Sequence, residues 1–211
     1  MILEGFLVTV QITLFGIIMG LVLGILLAIG DLYGGKITST IIKFYVEFFR
    51  GSPLIIQLFI FYFSIPKIFN ILIDNFTVGL IVFALNSAAY QKGYIKGAME
   101  SVYEDQMTAA LSLGLSKAQA ITYVVLPQAL RIVIPPWSNE FTSLTKSTSA
   151  LLLIGVMELT SAGKTIASWT WRILETYAFI ALIYLVWIIV VTKILDIIYE
   201  KIKIPAIEIS A

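Results

Sequence analysis

The chain contains no cysteine and no histidine, and only 13% of its 211 residues are charged. Without cysteine there are no disulfides, no iron–sulfur clusters and no thiol nucleophile. With histidine also missing, haem, the usual zinc sites and imidazole acid–base chemistry are excluded too. Charge is balanced as well as scarce, 14 Lys and Arg against 13 Asp and Glu, so the net +1 implies no nucleic acid or other polyionic partner. No GxxxxGK(S/T) run is present, so the chain has no phosphate-cradling loop of its own. What fills the composition instead is hydrocarbon: 59% of residues are hydrophobic and the mean hydropathy is +0.97. A soluble domain is roughly 45–50% apolar and about 25% charged. One water-facing core cannot absorb the surplus, so the solvent is largely lipid and the chain is a multi-pass membrane protein. Its first apolar run is neither preceded by a basic stretch nor followed by a small-residue cleavage site, and reads as a retained span.

A bilayer core of roughly 30 Å needs about 20 apolar residues per helix. On that measure spans are predicted over residues 6–29, 41–65, 76–92, 126–147 and 177–198, five in all. Gly16, Gly20 and Gly24 repeat every four residues along the first, a stripe that favours close helix packing. The second is interrupted by "FFRGSPLIIQ", and the fourth carries Pro135-Pro136. Residues 150–170 are broken by Gly155, Glu158, Gly163 and Lys164 and are expected to form a short re-entrant or surface helix, Glu158 and Lys164 being a solvated pair. Putting residues 101–130 and the C-terminus in the cytoplasm places most Lys and Arg inside, so the N-terminus is expected outside.

Residues 101–130 are too polar and too punctuated to span. Ser101-Val-Tyr-Glu104 fits the S-x-x-E capping box and predicts a helix start, which Gly114 ends. Ser116-Lys-Ala-Gln119 is a second box and predicts a second short helix, with Pro127 ending it or opening the next span. The spacing Ala109-Ala110, three residues, Gly114, nine residues, Val124, one residue, Leu126-Pro127 resembles the "EAA…G…I-LP" loop of ATP-binding-cassette importer permeases. "FFRGSPLIIQLF", "LPQALRIVIPPWSNEFTSLTKSTS" and "IGVMEL" look like the polar-amino-acid subfamily of these permeases, the histidine/glutamine/arginine type. Together these stretches cover most of the chain. It departs from the pattern at three positions: the loop glutamate is Thr108, its isoleucine is Val124, and an acidic residue often found in "AAYxxE" is Gly93.

The resemblance implies an all-α membrane protein with the type I importer permease fold. That is one domain over residues 1–211, with five transmembrane helices, a cytoplasmic coupling-helix loop at about 101–126 and a short re-entrant or periplasmic helix. It implies that Thr108, Ala109, Ala110, Gly114, Leu115 and Ser116 dock on a separate ATPase. It also implies the partners: two ATP-binding-cassette subunits holding ATP and magnesium, a second permease subunit (identical or homologous), and an extracytoplasmic amino-acid-binding protein. The chain itself is expected to bind no cofactor and to be no enzyme.

Ionisable groups at membrane depth are costly and so point to function. The midpoints of the third and fourth spans put Asn86, Asn139 and Glu140 at one depth, and Ser143 extends the polar stripe by a turn. These four are the candidate substrate contacts. Lys146, the nearest following cation, lies on roughly the opposite helical face from Glu140. A substrate cation, a proton or a lysine from elsewhere is left to neutralise it. The first option leans toward a basic amino acid such as arginine, lysine or histidine, with a glutamine- or glutamate-type substrate as the alternative. An ion-coupled carrier using Glu140 is the competing class, and no internal repeat supports it.

Overall fold

The computed structural model describes residues 1–203, with the side chains of residues 103–105 outside the described set. Every regular element among the described residues is helical. Helix α1 (Ile2–Tyr33) is a rod of about 48 Å, apolar all round and free of proline. It lies along α5 (Asn75–Ser112), a helix of about 57 Å. The glycine stripe is the seam between them: a Cβ on Gly20 would stand 2.8 Å from the Ser87 Cβ and from the Gln91 Nε2. In lipid, where apolar burial gives little drive, such close backbone approach is what dispersion packing requires.

Between these rods, α2 (Gly35–Gly51) stops at Ser52-Pro53, and α3 (Leu54–Phe59) and α4 (Ile65–Phe69) leave at 107° to it. The expected second span is therefore a sharp corner. After α5 come α6 (Lys117–Ala120) and α7 (Leu126–Ile132), and α8 (Ile134–Ser147) continues with a 58° bend where Pro135 and Pro136 occupy its first turn. A 3₁₀ turn over Thr148–Ile154 and a left-handed Gly155 lead to α9 (Leu159–Thr170), then to the largely exposed α10 (Ile173–Ile202). Among the described residues α1 and α10 are each long and apolar enough to cross a membrane, and each of the two bent pairs is so when joined.

Two π turns share a cause. One covers Ile60–Ser64, just before Ile65-Pro66, and the other covers Ile121–Val125, just before Leu126-Pro127. A proline ring collides with the carbonyl four residues back. Widening the preceding turn moves that carbonyl aside and keeps the chain helical, so Pro127 continues the helix instead of ending it.

Three sequence expectations need correction. No helix starts at Ser101, because α5 runs unbroken from Asn75 to Ser112. The Ser101 hydroxyl donates to the Ala98 carbonyl three residues back, as serine does inside a helix; the Glu104 side chain of the expected box lies outside the described residues. The pair of short helices is thus a tight turn, residues 113–116, joining one long helix to another. Finally, Glu158 and Lys164 are no solvated pair. Glu158 is fully buried and caps α9, accepting from Thr160 N at 2.8 Å, Ser161 N at 2.7 Å and the Tyr184 hydroxyl at 3.0 Å.

The buried apolar side chains form two clusters. One joins Ala28 of α1 to Ile95, Met99 and Met107 of α5 and to Val125 and Ala129. The other gathers Ile12, Ile17, Val82, Phe83, Phe141 and Leu151. Trp137, at the α7–α8 bend, packs against both.

Candidate functional site

The corner between α2 and α3 faces α5 and α8 across a cavity of about 560 Å3. All four candidate contacts line it: Asn86 from α5, and Asn139, Glu140 and Ser143 from α8. Asn139, Glu140 and Ser143 fall on one helix face by their spacing of three and four. Arg50, at the end of α2, lines the same cavity together with Tyr90 and Tyr94. The guanidinium of Arg50 stacks 5.1 Å from the Tyr90 ring centre, and among the described residues no ion pair joins it to Glu140.

Hydrogen bonds sort these groups into held and free. Asn86 Nδ2 donates to the Phe49 carbonyl at 3.1 Å and to Gln57 Oε1 at 3.0 Å, and Gln57 Nε2 donates to the Phe49 carbonyl at 2.8 Å and the Ser52 carbonyl at 3.0 Å. Together they satisfy carbonyls that the Ser52-Pro53 break frees, so the amide nitrogen of Asn86 is spent on the fold. Behind Glu140 runs a chain with one direction of donation. Trp137 Nε1 donates to Gln91 Oε1 at 2.9 Å, which fixes the orientation of that amide. Gln91 Nε2 then donates to the Ile17 carbonyl at 2.9 Å and to Ser87 Oγ at 3.0 Å, and Ser87 Oγ donates to Glu140 Oε1 at 2.9 Å. Interhelical bonds of this kind contribute about 0.6 kcal/mol each on average in membranes. Their larger effect is to fix which way the carboxylate faces.

Beyond the cavity along α5 sits a buried ion cluster that sequence reasoning missed. Asp31 accepts from Lys92 Nζ at 2.6 Å, Lys96 Nζ at 2.9 Å and Ser39 Oγ at 2.5 Å, with its carboxylate almost wholly enclosed. It ties the end of α1 to α2 and to α5.

At the far end of α5, Gly114 adopts φ +85°, a conformation that costs side-chain-bearing residues about 1–2 kcal/mol. The second capping box is formed: Ser116 Oγ accepts from Gln119 N at 3.4 Å and Gln119 Oε1 accepts from Ser116 N at 2.9 Å. Thr108, Ala109, Gly114 and Ser116 are exposed and Leu115 is half-buried. Ala110 does not join that surface. At 4% exposure it packs inward against the base cluster, because a helix turns it about 100° away from Ala109. Lys117 Nζ stacks 5.1 Å above the Tyr33 ring, closing the turn against the end of α1.

Residues 20–204 match the family described as the binding-protein-dependent transport system inner membrane component. The chain belongs to that family. As a permease component it is similar to the glutamine transport system permease protein GlnP of Escherichia coli K12, 36% identical over 97% of this chain and 94% of that one. It is also similar to the probable amino-acid ABC transporter permease protein PatM of Vibrio harveyi, 33% identical over 88% of this chain and 84% of that one. A crystal structure of an amino acid ABC transporter with histidines superposes with a TM-score of 0.86 at 31% identity, covering 95% of this chain and 94% of that one. The MetNI methionine transporter, at 18% identity and a TM-score of 0.76, shares the fold. The chain is thus an amino-acid ABC permease with a helical type I fold, and ATP hydrolysis belongs to a separate subunit.

Sequence reasoning placed the cavity-lining carboxylate and amides but did not count Arg50 among the candidate contacts. Arg50 reaches the cavity only because α2 turns through 107° at Ser52-Pro53, and no local pattern states the size of a corner. Gln91 and Ser87 carried a detectable signal, being polar residues four apart in an apolar span.

Proposed function

We propose that this permease forms half of the path of an ATP-driven importer of polar amino acids, with the cavity between the α2–α3 corner, α5 and α8 as its substrate station. The observation that carries the reading is the convergence of Arg50, Asn139, Glu140 and Ser143, from elements distant in sequence, on one cavity of about 560 Å3. That volume lies within the roughly 300–1,000 Å3 of small-molecule sites. The permeases named above for glutamine and for amino acids, and the amino acid ABC transporter whose crystal structure is with histidines, support the substrate class. The lean toward a basic substrate came from Glu140 having no cation near it in sequence; Arg50 brings a cation to the same cavity, so a cationic side chain is no longer needed to balance its charge.

In this reading α1, the α2–α4 corner, α5, the α7–α8 rod and α10 make five crossings, with the N-terminus outside and the 113–116 turn in the cytoplasm. Thr108, Ala109, Gly114, Leu115 and Ser116 meet the ATPase, a second permease subunit completes the path, and an external binding protein delivers the amino acid. Closure of two nucleotide-loaded ATPases moves the turn as a rigid body and alternates access to the cavity. The test is ATP-driven uptake into proteoliposomes carrying the whole assembly. Asn139→Ala with Ser143→Ala is expected to lower uptake at least tenfold with stimulated ATPase activity retained. Unchanged uptake by that double variant would remove the cavity from the path.

A further inference from the structure

Two opposite charges line the cavity without meeting. Among the described residues neither Arg50 nor Glu140 takes part in an ion pair. Each is nevertheless held in place: Arg50 lies on the Tyr90 ring, and Glu140, at 6% exposure, accepts from Ser87 at the end of the chain that starts at Trp137. Because that chain donates toward Glu140 Oε1, the carboxylate is kept as an acceptor with Oε2 left over. Beside Arg50 there is room for a carboxylate: a Cβ added to Gly93 would stand 3.6 Å from its Nη1, and glycine puts no side chain there. A guanidinium fork with an open face is suited to bidentate capture of a carboxylate.

We propose that Arg50 takes the α-carboxylate and Glu140 the α-ammonium of a transported amino acid whose side chain is polar and uncharged. The inference rests on the cavity being the substrate station. A free amino acid carries one charge of each sign on its head, and the cavity offers one of each in return. What then remains for the side chain is Asn139 and Ser143, whose side chains make no hydrogen bond within the protein among the described residues and which suit a carboxamide or hydroxyl. A basic side chain would bring a second cation to a cavity with a single carboxylate.

The experiment is equilibrium binding of radiolabelled L-glutamine to the assembled permease–ATPase complex in nanodiscs, without the binding protein. Competitors are L-glutamine, its methyl ester (no carboxylate), glutaramic acid (no ammonium) and L-arginine. In the unmodified complex, losing either head group or substituting arginine is expected to weaken competition on the order of 10–100-fold. Arg50→Gln should bring glutamine down to the level of its ester while leaving the penalty for glutaramic acid. Gly93→Glu, which keeps Arg50 but supplies an internal counter-ion, should do the same, and Glu140→Gln should do the reverse. An ester penalty unchanged in both Arg50→Gln and Gly93→Glu overturns the proposal, as does arginine binding more tightly than glutamine. Absence of specific binding by glutamine and arginine alike, or glutamine binding that survives Asn139→Ala with Ser143→Ala undiminished, would instead refute the cavity as substrate station.

Discussion

Replacing Asp31 by asparagine should test whether the ion cluster between α1, α2 and α5 holds the bundle together. The carboxylate is 1% exposed and Lys92 is 9% exposed, at 2.6 Å, so the substitution leaves a buried ammonium facing a neutral amide. Removing one member of a buried pair costs about 3–5 kcal/mol, because the surviving charge has lost both water and partner. Lys96, 29% exposed, retains access to solvent and to Glu100 at 3.8 Å, so it adds little to that penalty. For a domain of this size each kcal/mol shifts the melting temperature by about 2–4 °C, giving an expected fall of roughly 6–20 °C. The assay is thermal unfolding of the assembled complex in detergent, read by intrinsic tryptophan fluorescence. Asp31→Asn combined with Lys92→Met should recover most of the loss, since it removes the buried ammonium whose lost partner carries the penalty. Two results would refute the reasoning: a single variant within a degree of the unmodified protein, or a double variant melting no higher than the single.

Gly114→Val should uncouple ATP hydrolysis from uptake while sparing amino-acid binding, whereas Gly114→Asn, which tolerates the left-handed conformation at φ +85°, should retain coupling; parallel ATPase and uptake measurements separate the two. Gly20→Ala should cost about 1–3 kcal/mol, because its methyl group would meet Ser87 and Gln91 at 2.8 Å; the melting temperature of the complex reports it. Glu158→Ala should cost about 2 kcal/mol by stripping the cap of α9 and the acceptor of the Tyr184 hydroxyl, a loss visible in the same melting experiment.

The all-helical architecture was legible because membrane spans announce themselves by length and hydropathy, and the Gly16–Gly20–Gly24 stripe named its own seam. The misreading at Ser101 has a physical origin. A serine three residues before a glutamate caps a helix only where the chain before it is not already helical, and Lys96 and Glu100, one turn apart on α5, were the sign that it was. Serine 116 offered the same pattern after a left-handed glycine, and there the box forms. Asp31 was not singled out and Glu158 was misread as solvated, because a carboxylate next to a glycine or a loop looks solvated in sequence. Their partners, Lys92 and Tyr184, lie 61 and 26 residues away. Arg50 needed the 107° corner, a consequence of tertiary packing around Gln57 and Asn86.

The turn at residues 113–116 is joined to the cavity along both of its arms. On one side α5 runs back without a break from Ser112 to Ser87 and Asn86. On the other, the π turn before Pro127 keeps the chain helical from Lys117 to Ile132, and the 58° bend then delivers Asn139 and Glu140. Cross-links close the loop at the cavity, Ser87 to Glu140 at 2.9 Å and Gln91 to Trp137 at 2.9 Å. A displacement of the turn therefore cannot move one wall of the cavity alone without stretching those bonds; both walls shift together, or the bend at Pro135-Pro136 changes angle. Gln91→Leu combined with Ser87→Ala separates these outcomes, since the pair cuts both cross-links, Gln91 to Trp137 and Ser87 to Glu140, at once. If the cross-links carry the motion, this variant keeps nucleotide-stimulated movement of the turn, followed by a spin-label pair across it, but loses the matching movement at the cavity. Concerted movement preserved in the double variant would show that the proline bend transmits it unaided.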